Sequence, residues 1–141
     1  MFRGFATISY FADDMTAAET FYTQLLGIPP YFRRDADGQT AYIEYRIGDY
    51  QAELGIIHSR FAPYGPPAGP AGVIMQWHVD DLPATLNRLL ELGAKELQGI
   101  TPRGEGFVTA SVVDPFGNII GIMTNPHYLS VLATTQPLPG E

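Results

Sequence analysis

Two stretches of this chain pass from a strand-like pattern of apolar residues to a helical one in the same order. Residues 5–12 are rich in strand-forming types, and residues 73–79 alternate between apolar and polar side chains. After each stretch, apolar residues recur with the spacing of a helix that lies on a sheet; they are Ala18, Phe21, Tyr22 and Leu25, then Leu82, Leu86, Leu89 and Leu90. Three further strands are predicted after each helix, near 31–35, 40–47 and 50–58, then near 94–99, 106–113 and 118–124. The pattern therefore predicts βαβββ twice.

The boundaries of the two helices repeat as well. Asp13-Asp14 precedes the first helix and Asp80-Asp81 precedes the second, 67 positions later, and each helix stops at a Leu-Gly pair. Paired aspartates resemble an acidic catalytic site, but helix capping explains both pairs sufficiently. Thr16-x-x-Glu19 adds a capping-box pattern to the first helix. A repeat of this kind predicts two copies of one module.

The predicted organisation is a single domain over residues 1–141. Module one covers about 4–58, a linker covers 59–72, module two covers about 73–124, and a tail covers 125–141. Four prolines and three glycines in the linker favour a connecting loop or the rim of a pocket. Asp114-Pro-Phe-Gly117 is typical of a type I turn. The tail holds apolar residues from Tyr128 to Leu132 and then a Pro/Gly end that we expect to be frayed.

Alternation along the first strand of each module divides its residues between two faces of a sheet. The apolar set of 73–79 should pack beneath the helix; it consists of Val73, Met75, Trp77 and Val79. The other face carries Ile74, Gln76 and His78, and the matching face of the first strand carries Thr7, Ser9 and Phe11. A semi-polar face that occurs twice can curl around a cup. The expected fold class is α+β, with two βαβββ modules that form curved mixed sheets around this cup and helices outside.

Composition excludes several classes of function. The net charge is −7 with a single lysine, Lys95, which disfavours binding of nucleic acid. The absence of cysteine excludes disulfides, thiolate catalysis and Cys-ligated metals. No stretch approaches the roughly 20 apolar residues that span a bilayer, so no membrane partner is expected. The first residues lack the pattern of a secretory signal, and a cytoplasmic location is the default expectation.

These strings together resemble the vicinal oxygen chelate superfamily, which includes glyoxalase I, extradiol dioxygenases, fosfomycin-inactivating enzymes and bleomycin-resistance proteins. The resemblance covers about residues 4–124. It rests on Asp14…Phe21-Tyr22…Leu26-Gly27, on Val79-Asp80-Asp81…Leu92-Gly93-Ala94, and on Asp114-Pro-Phe-Gly-Asn118. It implies the fold described above and, by analogy with small members of the superfamily, a homodimer.

The resemblance also implies where a metal would be bound. Metal-using members line the cup with four His and Glu ligands, and these fall on Thr7, Glu53, Ile74 and Gly121 of this chain. Only Glu53 is a ligating type, and the side chains of Thr, Ile and Gly cannot replace His and Glu around a divalent ion. The resemblance therefore implies that the usual metal site is absent, and we expect no cofactor.

Two residues are candidates for chemistry. Glu53 could act as a general base or bind a cationic ligand; alternatively, it is a solvated carboxylate or pairs with Arg46. His78 could take part in proton transfer; alternatively, and as we favour, it is a partly exposed histidine beside Asp80. The candidate ligand-binding residues are Thr7, Ser9, Phe11, Ile74, Gln76, Gly121 and Met123.

Three hypotheses of function follow. The leading one is a glyoxalase- or bleomycin-resistance-like protein without the usual metal, which binds and sequesters a small organic molecule in the cup. The alternative is a lyase, isomerase or dioxygenase that works with a displaced metal site, or by acid–base chemistry, around Glu53 and His78. The third is an interaction module whose cup is filled by its own side chains. The expected partners are a small-molecule ligand and a second copy of the chain.

Overall fold

A computed structural model of the protein describes residues 1–66 and 68–135. The elements are β1 (Thr7–Ala12), α1 (Met15–Leu26), β2 (Phe32–Ala36), β3 (Gln39–Ile47), β4 (Ala52–His58), a short 3-10 helix (Ser59–Phe61), β5 (Met75–His78), α2 (Leu82–Glu91), β6 (Lys95–Gly104), β7 (Phe107–Val113), β8 (Ile119–Thr124) and α3 (Pro126–Thr135). They form two four-stranded mixed sheets. The predicted α+β class with two βαβββ modules is confirmed.

The chain divides into two units. The first unit runs from Met1 to Ala71 and also includes Pro115–Asn118. The second runs from Gly72 to Asp114 and resumes at Ile119. The turn between β7 and β8 therefore belongs to the first unit.

The sheet of the first unit has the strand order β1-β4-β3-β2. β1 runs parallel to β4, and the other neighbours are antiparallel. One face of this sheet packs against α1 because its alternate residues are apolar and almost fully buried. This core contains Tyr10, Ala12, Ala41, Ile43, Tyr45, Leu54 and Ile56 from the strands, and Met15, Ala18, Phe21 and Tyr22 from α1.

The first residue of α1 differs from the capping-box prediction. The carboxylate of Asp14 accepts a hydrogen bond from the Ala17 N–H at 3.0 Å, so Asp14 is the N-cap. The Glu19 carboxylate does not close a capping box; it pairs with the Arg33 guanidinium. The helix ends at Gly27, whose φ of 72° suits glycine and whose N–H bonds the Thr23 carbonyl. The capping-box prediction is wrong because the helix begins two residues earlier than Thr16-x-x-Glu19 requires.

The sheet of the second unit repeats the first, with the order β5-β8-β7-β6 and β5 parallel to β8. Asp81 caps α2 through the Ala84 N–H at 3.0 Å, and Pro83 lies in the first turn. The buried residues of this unit include Leu82, Leu86, Leu89, Ala110, Val112, Ile120 and Ile122. Helix capping thus accounts for the second aspartate of each pair, Asp14 and Asp81.

Strand β5 is shorter than the predicted strand 73–79. It begins at Met75, and Val73 is 87% exposed instead of lying beneath a helix. Gly72 has a φ of 85°, and the chain before it is rich in proline, so the backbone joins the sheet only at Met75. The prediction that Val73 is a core residue is therefore wrong.

Helix α3 was not predicted from the sequence. It follows Asn125, whose side-chain oxygen accepts a hydrogen bond from the Tyr128 N–H at 2.9 Å, and it begins with Pro126. None of its residues is buried. The predicted frayed end falls on residues 136–141, outside the described residues. Within the described part of the chain, no helix is long and apolar enough to cross a membrane.

Candidate functional site

The face of the first sheet opposite α1 gathers most of the candidate residues of the first module. We call it the helix-free face. Strand register aligns side chains across β1, β4 and β3 in three rows. The rows are Thr7–Glu53–Arg46, Ser9–Gly55–Glu44 and Phe11–Ile57–Tyr42. The predicted residues Thr7, Ser9, Phe11 and Glu53 therefore share one surface, because residues two apart on a strand point to the same side.

Five polar side chains on this face form one connected group, which we call the Arg46 cluster. The Glu53 carboxylate accepts a hydrogen bond from the Thr7 hydroxyl at 2.9 Å and lies 3.5 Å from Nη2 of Arg46. The Glu44 carboxylate accepts a hydrogen bond from the Tyr42 hydroxyl at 2.8 Å and lies 3.8 Å from Nε of Arg46. One guanidinium is thus shared by two carboxylates, which leaves the cluster with one more negative than positive charge.

Tyr42 is held as a neutral donor in this cluster. Burial, and then the hydrogen bond that it donates to Glu44, raises the pKa of the Tyr42 phenol to about 12. Negative charge on Glu44 and Glu53 acts in the same direction. Tyr42 therefore keeps its proton throughout the physiological pH range and offers a polar O–H beside an aromatic ring.

Gly55 makes the position of the Tyr42 ring possible. A Cβ atom at residue 55 would lie 2.7 Å from Cε2 and 2.9 Å from the hydroxyl oxygen of Tyr42. No real Cβ tolerates such distances, so any larger residue would displace the ring from Glu44. The glycine is needed here for close approach across the strand and not for an unusual backbone conformation.

We expect Gly55→Ala to lower the pKa of Tyr42 from about 12 toward the ordinary value of 10. The displaced ring would lose both its burial and its hydrogen bond to Glu44, the two largest causes of the shift. The measurement is tyrosinate absorbance against pH, taken as the difference between each protein and its Tyr42→Phe derivative. The native stability linked to this group is present below pH 10 and is lost as the pH rises toward 12.

Gly99→Ala is the matched control for this titration. A Cβ at residue 99 would meet its nearest atom, Oε1 of Glu96, at an ordinary 3.6 Å. The Tyr42 transition should therefore stay near pH 12 in this variant. An unchanged Tyr42 transition in Gly55→Ala would show that the position of the Tyr42 ring does not depend on the absence of a side chain at residue 55.

Aromatic rings border the Arg46 cluster. The Tyr31 N–H bonds the Glu44 carbonyl at 2.7 Å, and the Arg46 guanidinium carbon lies 4.1 Å from the centre of the Tyr31 ring. The Phe32 ring centre lies 6.2 Å from that of Tyr42. At the other end of the face, Phe11 contacts Tyr64 edge to face at 5.9 Å. The face thus combines paired charges with apolar walls, the mixture that small-molecule sites commonly use.

In the second unit, His78 positions helix α3. Its Nδ1 accepts a hydrogen bond from the Asn125 N–H at 3.1 Å, and its ring stacks on Tyr128 at 4.9 Å with an interplanar angle of 14°. The side chain is 8% exposed, and its Nε2 lies 3.5 Å from an Asp80 oxygen. Because Nδ1 is an acceptor, the proton of the neutral ring is on Nε2. His78 is far more buried than the partly exposed histidine that the sequence suggested.

The other candidates of the second unit surround Gly121. Gln76 pairs with Gly121 across β5 and β8, and a Cβ at residue 121 would lie 2.6 Å from Oε1 of Gln76 and 2.8 Å from Cγ2 of Ile74. Met123 pairs with His78 two residues further along the same strands, and its sulfur accepts a hydrogen bond from the Asn125 side chain. Ile74, Gln76 and Gly121 are therefore in direct contact.

The residues present do not fit the metal site that the resemblance implies. Glu53 is bound by Thr7 and Arg46, and the space that a side chain would need at residue 121 is taken by Gln76 and Ile74. In residues 1–66 and 68–135, no group of three or more His, Asp or Glu side chains is arranged to hold a metal ion. Neither the donor types nor their surroundings suit a divalent cation at these positions.

Sequence reasoning missed Tyr42 and Glu44 and named Arg46 only as one partner for Glu53. The signal was present in the predicted strand 40–47, where Tyr42, Glu44 and Arg46 alternate with the buried Ala41, Ile43 and Tyr45. That alternation would have placed all three polar residues on the same face as Glu53.

Known proteins resemble this chain in sequence pattern and fold. The family model of the glyoxalase/bleomycin resistance protein/dioxygenase superfamily matches residues 4–122. No curated protein matches by sequence.

Several solved structures share the fold. A glyoxalase-related enzyme from Fulvimarina pelagi is 21% identical with a TM-score of 0.70, over 89% of this chain and 90% of that one. A glyoxalase/bleomycin resistance protein from Catenulispora acidiphila is 23% identical with a TM-score of 0.58, over 85% and 96% of the two chains. A lactoylglutathione lyase from Agrobacterium tumefaciens is 17% identical with a TM-score of 0.62, over 87% and 94%. The chain belongs to the glyoxalase/bleomycin resistance protein/dioxygenase superfamily.

Proposed function

We propose that this protein binds a small organic molecule on the helix-free face of its first sheet without the usual divalent metal of the superfamily. The observation that carries the proposal is the Arg46 cluster, in which Glu53 lies between Thr7 and Arg46 on a face bordered by aromatic rings. Binding by such a face needs only apolar walls and a few directional polar groups. The superfamily includes a resistance protein as well as enzymes in its name, which supports a binding role without turnover.

The charge of the cluster selects the class of ligand. Two carboxylates face one guanidinium, so an anionic ligand would meet net repulsion, whereas hydroxyl groups can donate to Glu44 or Glu53. An amine can also pair with the excess negative charge. Rings such as Phe32, Tyr42 and Phe11 favour a partly aromatic molecule. The proposed ligand is therefore a hydroxyl-bearing or cationic molecule with an aromatic part.

The first experiment is native mass spectrometry of the purified protein, which should show an additional mass that is lost on denaturation. Thermal denaturation with three probes then tests the class: catechol and 2-phenylethylamine should raise the melting temperature, and 3-phenylpropionate should not. Stabilisation by 3-phenylpropionate alone would contradict the proposal.

Glu53→Gln should weaken binding of the stabilising probes by about tenfold or more, because a hydrogen bond to a charged group contributes about 1.5–3 kcal/mol. Titration calorimetry measures the change. Glu96→Gln is the matched control, since Glu96 is an exposed strand carboxylate in the second unit with no ion pair among the described residues. Equal affinity of the Glu53 variant and the unmodified protein for the probes would show that Glu53 does not contribute to binding.

The second proposal is an enzyme that uses either the Glu53 carboxylate or the His78 imidazole for acid–base chemistry. The buried Nε2 of His78, which has no hydrogen-bond partner within the described ranges, favours it. Activity that survives chelator and disappears in Glu53→Gln would support this alternative. The homodimer and the cytoplasmic location expected from the sequence are also proposals, and the mass in solution by light scattering tests the first.

A further inference from the structure

Arg46 occupies a fixed position between two carboxylates. The Tyr31 ring supports the guanidinium from one side at 4.1 Å, and Tyr31 is itself held by its N–H bond to the Glu44 carbonyl. The separations of 3.5 Å to Glu53 and 3.8 Å to Glu44 are those of ion pairs and not of close hydrogen bonds. Arg46 therefore acts mainly as a positive charge placed between the two acids.

The two carboxylates depend on this charge. The Glu44 side chain is only 14% exposed, and that of Glu53 is 34% exposed, so water screens their mutual repulsion incompletely. Tyr42 and Thr7 each donate one hydrogen bond to them but bring no positive charge. Without Arg46, two partly buried carboxylates would face the same space with no counter-cation in the cluster.

We infer that Arg46 determines the charge specificity of the site by occupying the position between Glu44 and Glu53 that a divalent cation would otherwise take. The inference deepens the proposed function, on which it rests for the class of ligand: an organic molecule that binds directly, and not through a bridging metal ion. The Arg46 guanidinium supplies the positive charge that a divalent metal ion from solution would otherwise supply. The inference is tested with metal ions alone, whereas the proposed function is tested with organic probes. Failure of one can therefore be distinguished from failure of the other.

The test is Arg46→Met, titrated with Mn²⁺ and followed by electron paramagnetic resonance of the free ion. Carboxylate oxygens suit Mn²⁺. We expect this variant to bind about one equivalent of Mn²⁺, at least about tenfold more tightly than the unmodified protein. Arg46→Lys keeps the positive charge and should bind no more tightly than the unmodified protein.

Arg103→Met is the matched control for overall charge. Arg103 lies on β6 of the second unit, is exposed, and makes no ion pair with any described residue. Arg103→Met changes the net charge by the same amount as Arg46→Met, so a general gain in cation affinity would appear in both variants. The double variant Arg46→Met with Glu53→Gln should lose the acquired Mn²⁺ affinity, because Glu53 would supply one of the carboxylates that bind the ion.

Two results would overturn the inference: an Mn²⁺ affinity that is unchanged in Arg46→Met, or an equal gain in affinity in Arg103→Met. Arg46 has a side chain that is 41% exposed, so its replacement should leave the protein folded. Circular dichroism checks this, and Arg46→Gln, which keeps a polar side chain in place of the charge, carries the same test if the methionine variant is unstable.

Discussion

Ile43→Ala is expected to lower the free energy of unfolding by about 2–5 kcal/mol, the range for truncating a fully buried isoleucine. Ile43 is completely buried on the side of β3 that faces α1. The cost combines lost apolar burial with the cavity left behind, because close-packed neighbours relax only in part. Urea unfolding followed by circular dichroism measures the change.

This substitution also tests how the candidate site is supported. Ile43 lies between Tyr42 and Glu44 in the sequence, on the opposite face of the strand, so loss of packing beneath β3 should loosen the Arg46 cluster as well. Ile100→Ala is the control, since Ile100 is 45% exposed and surface substitutions change stability by about 0.5 kcal/mol or less. Similar losses in both variants would mean that β3 does not pack as described.

Asn118→Ala is expected to cost about 2–3 kcal/mol, because two backbone groups would each lose a partner worth about 1–1.5 kcal/mol. The Asn118 side chain accepts a hydrogen bond from the Phe11 N–H at 3.2 Å and donates one to the Phe11 carbonyl at 2.9 Å. β1 is at the edge of its sheet, so this amide satisfies main-chain groups that no neighbouring strand reaches.

Two further variants make the Asn118 experiment specific. Asn118→Asp keeps the acceptor for the Phe11 N–H but removes the donor to the Phe11 carbonyl, so about half of the loss is expected. Asn87→Ala, at an exposed position of α2, should change the free energy of unfolding by no more than about 0.5 kcal/mol. Chemical denaturation of all three variants under one condition compares them directly, and an effect at Asn118 no larger than that at Asn87 would contradict the structure.

The hydrophobic periodicity alone determined most of the fold. Two helices, each with an aspartate cap and each followed by three strands, were predicted from local patterns because one face of every element must be apolar to be buried. Residues that share a face of one strand, such as Thr7, Ser9 and Phe11, were likewise assigned correctly by alternation.

Where local signals were weak or contradictory, the prediction failed. The helical spacing of Tyr128, Val131 and Leu132 covers too few residues to predict helix α3, and the helix buries none of its residues. Val73 continues an alternating run, but the backbone enters the sheet only at Met75, a boundary that depends on pairing with β8. The first residue of such a strand depends on hydrogen bonds to a strand that is distant in the sequence, so the neighbouring residues alone do not predict it.

The sequence by itself determined the superfamily and the repeated module, and it holds no His or Glu at Thr7, Ile74 and Gly121, the positions where the resemblance implies metal ligands. The tertiary structure alone decided that Arg46 is shared between Glu44 and Glu53, that Tyr42 lies over Gly55, and that the turn at 115–118 belongs to the first unit. The physical reason is range: periodicity reports the face on which a residue lies, whereas charges and rings meet through strand pairings that only the folded chain creates.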